Sequence, residues 1–125
     1  MAGKRDRAIL MPRYTTLAGD GDYTSIPIDV SAYEGGELVA WRGKLVGPDA
    51  GTGSVSVTFQ ESSDQVTWSI CAGTASGTLS ENTETQFVPA FKMAWMRVKV
   101  TLTAGTGDLP IVSCYVVGYL TRRRA

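Results

Sequence analysis

The sequence predicts an all-β protein, a two-sheet antiparallel β-sandwich that is jelly-roll-like and carries an extended N-terminal arm. Apolar and polar residues alternate in several segments, as they do in strands that bury one face. Turn signals rich in Gly and Pro separate these segments, and none of them has the apolar period of a helix. A chain of 125 residues suits one domain of this architecture.

The N-terminal residues 1–23 are expected to form the arm. An apolar run at residues 8–11 is stopped by Pro12, which cannot donate to a strand ladder, so the run is either an edge strand or an extended arm. Residues 19–22, GDGD, are typical of a flexible polar link. The predicted division of the chain is an arm over residues 1–23, a β-sandwich domain over residues 24–121 and a basic C-terminal tail over residues 122–125.

The strongest predicted element is a β-hairpin in residues 53–71, GSVSVTFQESSDQVTWSIC. Alternation in its first half is interrupted by turn-favouring residues 61–65 and then resumes. Two strands alone are marginal in water, so other strands must cover their shared apolar face. The residues expected on that buried face are Val55, Val57, Phe59, Val66, Trp68 and Ile70.

Other strands are predicted before and after this hairpin. Residues 25–30 alternate around Pro27, which indicates an edge strand. In residues 37–46, one face is expected to be buried and carries Val39, Trp41 and Leu45. Residues 72–91 show no clear apolar face.

The C-terminal third of the chain contains two further strand patterns. Residues 95–103 alternate cleanly, with an inward face of Met96, Val98, Val100 and Leu102. Residues 111–120 are apolar on both faces. Such a strand is either central in its sheet or has one face buried against a partner.

Charge is distributed unevenly although the formal net charge is zero. Both ends of the chain are basic, so the residues between them have an acidic excess. Terminal charge runs are usually solvated and frayed. The functional alternative is that the two basic ends are arms that reach an acidic surface on a neighbouring protein.

The sequence offers little for catalysis or metal binding. It contains no histidine, the commonest general base and metal ligand. Cys71 and Cys114 lack the spacing of a zinc site, and they are interpreted as small buried residues, with a disulfide as the alternative. Asp20 and Asp22 are too few ligands for calcium. The acidic pairs, Glu61 with Asp64 and Glu81 with Glu84, are expected to be solvated loop carboxylates.

The three tryptophans allow a sugar-stacking platform as one hypothesis. Trp41 alternates in phase with Val39, and Trp68 in phase with Ile70, so both are better explained as core residues. Trp95 is out of phase with the apolar face of its own strand. It is the one tryptophan expected to be exposed.

Three segments, DVSAYEGGELVAWRGKLVG, VSVTFQESSDQVTWSIC and FKMAWMRVKVTLT, resemble small β-sandwich structural proteins of tailed bacteriophages. The resemblance covers residues 29–103 and includes head decoration (cement) proteins and minor head, neck and tail components. It implies a non-enzymatic virion protein without cofactors, a capsid decoration or minor head protein that bridges neighbouring subunits. The alternatives are a carbohydrate-binding module or host-receptor adhesin, and a neck or tail connector.

The resemblance also implies partners and a location. The expected partners are the major capsid protein or other virion subunits, together with further copies of the chain in a homo-oligomer. Neither nucleic acid nor a membrane is expected as a partner. The charged N-terminus lacks the apolar core of a secretion signal, so assembly in the host cytoplasm is expected. The residues predicted to bind partners are Arg5, Arg7, Ile9, Leu10, Met11 and Arg13 in the arm and Arg122, Arg123 and Arg124 in the tail.

Overall fold

The computed structural model describes residues 4–47, 53–103 and 110–124. Within these residues the chain forms β-strands and no helix, so none of its described segments is a helix that could span a membrane. The strands are β1 Arg5–Ala18, β2 Gly21–Thr24, β3 Ile28–Asp29, β4 Tyr33–Arg42, β5 Ser54–Ser62, β6 Ser69–Ile70, β7 Ala72–Thr74, β8 Ser76–Leu79, β9 Thr83–Ala90, β10 Trp95–Thr103 and β11 Ile111–Arg122.

The strands form two sheets whose pairings are nested along the chain. The five-stranded sheet has the order β1-β11-β4-β9-β7, and the six-stranded sheet has β2-β10-β5-β6, with β3 also on β10 and β8 on β5. Antiparallel pairing joins β1 to β11, β2 to β10, β4 to β9 and β5 to β8. The chain is thus a long antiparallel ribbon rolled into two layers, which is a jelly roll. The predicted fold class is confirmed.

The core lies between the two sheets and uses the alternation that the sequence predicts. Phe59 of β5 pairs with Val98 of β10, and Val57 pairs with Val100. All four side chains are fully buried. Phe87 of β9 packs on Phe59 from the opposite sheet, with ring centroids 5.4 Å apart. The predicted inward faces of β5 and β10 are therefore confirmed.

The N-terminal segment is a strand of the domain and not an arm. β1 pairs with β11 over most of its length, and its Ala8, Met11 and Leu17 are buried in the core. The prediction of an arm was wrong because it ended the apolar run at Pro12, whereas the alternative of an edge strand agrees with the position of β1 at the edge of the five-stranded sheet. The strand passes this proline through a bulge, where the register with β11 shifts on both sides of Met11. The Thr15 hydroxyl donates to the Pro12 carbonyl oxygen at 2.7 Å and closes the bulge.

The second half of the predicted hairpin is also wrong. Val66 and Ile70 are 80% and 60% exposed, and Trp68 is half-buried on the outside of the sheet. Asp64 explains the difference, because its carboxylate accepts backbone N–H bonds from Val66 and Thr67, both at 2.9 Å. These bonds lengthen the turn and leave only the two-residue strand β6. The Arg97 guanidinium lies 4.2 Å from the Trp68 ring centroid and covers it.

The buried face of β4 is the opposite of the predicted one. Leu38 and Ala40 are fully buried, whereas Val39 and Trp41 are half-buried on the outer side. Because both faces of this strand carry apolar residues, the alternation alone does not decide which one points inward. Leu45 is buried, but it follows the end of β4 and does not continue its phase.

Three remaining expectations concern short or weak patterns. Residues 72–91, which show little pattern, form β7, β8 and β9. Pro27 lies between β2 and β3, two short strands that pair with β10, which agrees with an edge position. Glu61 is buried and not solvated, since its Oε1 accepts the backbone N–H groups of Lys92 at 2.7 Å and Met93 at 3.0 Å.

Candidate functional site

The two outer surfaces of the sandwich differ in chemistry. Apart from the half-buried Trp95, the outward positions of β5 and β10, in the six-stranded sheet, are mostly polar: Ser56, Thr58, Arg97, Lys99 and Thr101. On the five-stranded sheet, the outward positions of β1, β4 and β11 are mostly apolar or aromatic. We call this surface the apolar face, and it consists of Ile9, Val39, Trp41, Tyr115, Val117 and Tyr119. Contiguous apolar surface of this kind marks an interaction site more often than scattered exposed residues do.

Strand register arranges the apolar face in rows that run across the sheet. Val117 of β11 pairs with Ile9 on one side and with Val39 on the other. In the next row, Tyr119 lies between Arg7 of β1 and Glu37 of β4. Exposure increases toward the β1 edge, where Ile9 is 68% exposed. An apolar row is therefore followed directly by a row that has a cation at one end and a carboxylate at the other.

A second mixed row contains the two large aromatic residues of the apolar face. The rings of Trp41 and Tyr115 are stacked, with centroids 5.4 Å apart and an angle of 16° between planes. The Tyr115 hydroxyl donates to Glu84 Oε2 at 2.8 Å, and the Arg13 guanidinium lies 5.5 Å from the Tyr115 ring centroid. Burial, followed by the hydrogen bond to Glu84, raises the pKa of Tyr115. These contacts fix the aromatic pair and occupy part of its ring surface.

The bulge in β1 opens a pocket beside β11, with a volume of about 380 Å³. Its lining is mostly apolar and includes Ile9, Pro12 and Val117, with Arg7 and Arg13 at the same site. Gly118 also lines it, and a side chain there would collide with the Glu37 carbonyl oxygen. The apolar face therefore has a concave part next to its cationic edge.

The two basic ends of the chain meet at one corner of the five-stranded sheet. Arg5 pairs with Thr121, and the Arg122 backbone N–H donates to the Lys4 carbonyl oxygen at 2.8 Å. We call this region the basic corner, and it consists of Lys4, Arg5, Arg7, Arg122, Arg123 and Arg124, all of which are exposed. Sequence reasoning treated the two ends separately, whereas the fold brings them together.

Two carboxylates partly neutralise the basic corner. Glu37 forms an ion pair with Arg5 at 3.1 Å, and Asp6 forms one with Arg122 at 2.8 Å. The hydrogen bond from the Tyr33 hydroxyl, more than the nearby Arg122, lowers the pKa of Asp6. Six cations against these two carboxylates leave the corner positive.

The predicted partner-binding residues are thus divided between surface and core. Ile9, Arg7 and Arg13 lie on or beside the apolar face, while Met11 is only 6% exposed and faces the protein's own core. Leu10 is partly buried against that core. The assignment of Met11 to a partner contact is therefore corrected.

The C-terminal tail is also more ordered than a frayed end. Arg122 belongs to β11, and the Arg123 side chain donates to the Phe91 and Ser31 carbonyl oxygens, both at 3.3 Å. Trp95, which was expected to be exposed, is half-buried at the start of β10. The sequence did contain a signal for the apolar face, because β4 and β11 are apolar on both sides.

The described residues offer no clear reactive group. Burial raises the pKa of the Cys71 thiol to about 12 and that of Cys114 to about 11, so both thiols are protonated at neutral pH. Both cysteines are free and buried, as the sequence indicated. No cluster of three potential metal ligands occurs among the residues that the structure describes. Asp22 instead accepts a hydrogen bond from the Thr101 hydroxyl at 2.7 Å.

No protein-family model and no curated protein sequence matches this chain. Its fold is similar to that of the PBSX exported protein XepA, with a TM-score of 0.58 at 12% identity over 96% of this chain and 38% of that one. A structure of infectious bursal disease virus, Gt strain, matches with a TM-score of 0.56 at 12% identity over 95% of this chain and 32% of that one. The VP2 subviral particle of the same virus matches with a TM-score of 0.53, at the same identity and coverage.

The chain spans only about a third of the length of these structures. At such identity the likeness concerns the fold alone. The jelly roll of this chain is therefore one that it shares with viral capsid proteins and with an exported PBSX protein.

Proposed function

We propose that this chain is a non-enzymatic structural protein of a bacteriophage virion, a capsid decoration or minor head protein that bridges neighbouring subunits. The observation that carries the proposal is the contrast between the two outer surfaces of one sandwich. The central strands β5 and β10 of the six-stranded sheet present mainly Ser, Thr, Lys and Arg outward, and the exposed Val66 and Ile70 lie beside them at the β6 edge, whereas the central strands of the five-stranded sheet present the apolar face. Contiguous exposed apolar surface often marks a site of interaction with another protein.

Two surfaces of different chemistry suit a bridging role. Burying Ile9 on the apolar face contributes about 1.5–3 kcal/mol per copy, as does burying a side chain such as Val117 fully. Each exposed ionic contact of the basic corner contributes only about 0–1 kcal/mol. Attachment by many copies then stabilises a particle through multivalency, although each contact is modest. The major capsid protein or another virion subunit is the proposed partner of the basic corner.

Several observations support a non-enzymatic role. The sequence has no histidine, and the two thiols are kept protonated by burial. Glu61 is a possible acid or base, but its carboxylate accepts hydrogen bonds from the backbone N–H groups of Lys92 and Met93. Glu84 is likewise engaged by the Tyr115 hydroxyl. These carboxylates therefore stabilise the fold or the apolar face.

A carbohydrate-binding module or host-receptor adhesin is the second candidate. The observation in its favour is the half-exposed Trp41–Tyr115 pair, with Arg13 and Glu84 beside it. Sugars stack on open aromatic faces, whereas these two rings face each other. A glycan array separates the two proposals: binding that is lost in Trp41→Ala would favour the sugar-binding function.

Co-sedimentation with tailed-phage capsids that lack the protein tests the structural function. The full chain is expected to pellet with capsids, and Val117→Glu, which places a charge in the centre of the apolar face, is expected to pellet poorly. Lys99→Glu is the matched control, because it adds negative charge to the polar outer surface of β10. Failure of the full chain to pellet with any capsid preparation contradicts the proposal.

A further inference from the structure

We infer that the apolar face binds the same face of a second copy of this chain, and that a two-fold axis parallel to β11 relates the two copies. The inference rests on the proposed function in taking the apolar face as an interface, and it adds the identity of the partner there. The basic corner is left for a different subunit. Four charged residues that flank the apolar face carry the argument.

The charges on this face are separated by sign. Arg7 and Arg13 lie on the β1 side, at the pocket. Glu37 of β4 and Glu84 of β9 lie on the other side. Glu37 forms an ion pair with Arg5 of its own chain at 3.1 Å, and Glu84 accepts the Tyr115 hydroxyl, but both carboxylate side chains remain accessible to solvent. Arg7 and Glu37 occupy one row, at either end of Tyr119, while Arg13 and Glu84 occupy the row of Tyr115 and Trp41. The apolar row of Ile9, Val117 and Val39 lies between these two.

A two-fold axis parallel to the strands exchanges the two sides of the sheet and keeps each row at its level. It therefore places the arginine side of one copy over the glutamate side of the other, with Arg7 toward Glu37 and Arg13 toward Glu84. The apolar rows of Val117 and Val39 then face each other, as in an aligned packing of two sheets. A two-fold axis perpendicular to the strands would instead place arginines over arginines, which is repulsive.

The pocket is also complementary to the surface that this arrangement places over it. It lies between β1 and β11, so the exchange of sides sets it over the β4 and β9 side of the second copy. Val88 points outward from β9 and is 47% exposed. This side chain has the size and chemistry to enter the apolar part of the pocket.

Association through the edge of β1 fits the structure less well. Unpaired strand edges join most readily when they are long, flat and regular. β1 is interrupted by Pro12 and by register shifts on both sides of Met11. Its edge is therefore blunted, whereas the apolar face beside it is not.

Analytical ultracentrifugation of the full chain over a range of concentrations tests the inference. The expected result is a monomer–dimer equilibrium with a dimer of twice the 13.4 kDa chain mass. Arg7→Glu and Glu37→Arg are each expected to raise the dimer Kd by roughly tenfold or more, because each sets like charges against one another. The double variant Arg7→Glu/Glu37→Arg restores opposite charges between the two copies and is expected to bind more tightly than either single variant, although it still lacks the Arg5–Glu37 ion pair. Lys99→Glu, on the other sheet, is expected to leave the Kd unchanged.

Circular dichroism and thermal melts check that each variant is folded. If a charge reversal unfolds the protein, Arg7→Gln and Glu37→Gln replace it, because they remove the charge without reversing it. A chain that stays monomeric at high concentration, or a dimer that is unaffected by both single reversals, overturns the inference. Capsid co-sedimentation distinguishes the two proposals. A monomer that still pellets with capsids overturns only the dimer, and a dimer that behaves as expected but ignores capsids overturns only the virion function.

Discussion

The rings of Phe59 and Phe87 meet between the two sheets, with centroids 5.4 Å apart and planes inclined by 54°. Phe59 belongs to β5 of the six-stranded sheet and Phe87 to β9 of the five-stranded sheet, and both are buried. The contact joins the two layers of the jelly roll at its centre. A cavity at this point cannot be filled by solvent-facing side chains.

Phe59→Ala is therefore expected to lower the free energy of unfolding by about 3–5 kcal/mol. Urea denaturation followed by tryptophan fluorescence measures this loss. Thr58→Ala, at the neighbouring outward position, is the control and is expected to change stability by less than about 0.5 kcal/mol. A loss near zero for Phe59→Ala would mean that the assigned inward face of β5 is wrong.

Removal of residues 1–13 is expected to destabilise the domain itself. It takes Ala8 and Met11 out of the core and exposes the β11 edge, which costs about 2–5 kcal/mol or more. Thermal unfolding of the truncated chain should show a clearly lower Tm. Ile9→Ser is the comparison, because it changes an exposed residue of the same strand. A truncated chain as stable as the full one would restore the interpretation of this segment as an arm.

Acid is expected to weaken the turn that follows β5. Backbone N–H bonds from Thr67 and Val66 hold the pKa of Asp64 below its ordinary value of 3.8. Because the folded-state pKa is the lower one, the stabilisation is present above pH 3.8 and is lost as pH falls through the folded-state pKa. Asp64→Asn should therefore show a smaller fall in Tm on acidification than the unchanged chain. Identical acid profiles for the two proteins would contradict this role of Asp64.

The two cysteines are expected to be unreactive in the folded protein. Burial raises the pKa of Cys71 to about 12 and that of Cys114 to about 11, so the thiolate fraction at neutral pH is very small. A colorimetric thiol reagent should label neither residue until urea is added. Ser54→Cys, at an exposed position, is the positive control and should react at once. Rapid native labelling of the unchanged chain would show that one of the thiols is accessible.

Sequence reasoning predicted the strands whose two faces differ in polarity. β10 alternates Met96, Val98 and Val100 with polar residues, and its inward face was assigned correctly. β4 carries apolar residues on both faces, so the side that faces the core depends on which strands cover it, and this is not local information. The turn after β5 was missed for a related reason, because the two backbone hydrogen bonds to Asp64 override the alternation of Val66 and Ile70.

The candidate site shows the same limit. Ile9 and the arginines beside it were predicted from the sequence to contact partners, but their common surface with Tyr115 and Val117 depends on the pairing of β1 with β11. These strands are far apart in the chain, and no local pattern specifies that they are neighbours. The basic corner is predictable only as two separate charge runs for the same reason.

Salt should separate the contributions of the two surfaces to particle attachment. Exposed ionic contacts are screened over a Debye length of about 8 Å at physiological salt and about 3 Å at 1 M, whereas apolar burial is not screened. Arg124→Ala, at an exposed position of the basic corner outside the apolar face, is therefore expected to attach more weakly than the unchanged chain at low salt, and this difference is expected to disappear at high salt. Val117→Glu is expected to attach poorly at both. Co-sedimentation with capsids across a salt series measures the difference, and Lys44→Ala, an exposed lysine outside the basic corner, is the control. If the arginine variant attaches as well as the unchanged chain at every salt concentration, the basic corner takes no part in attachment, and the contact with the particle lies elsewhere on the sandwich.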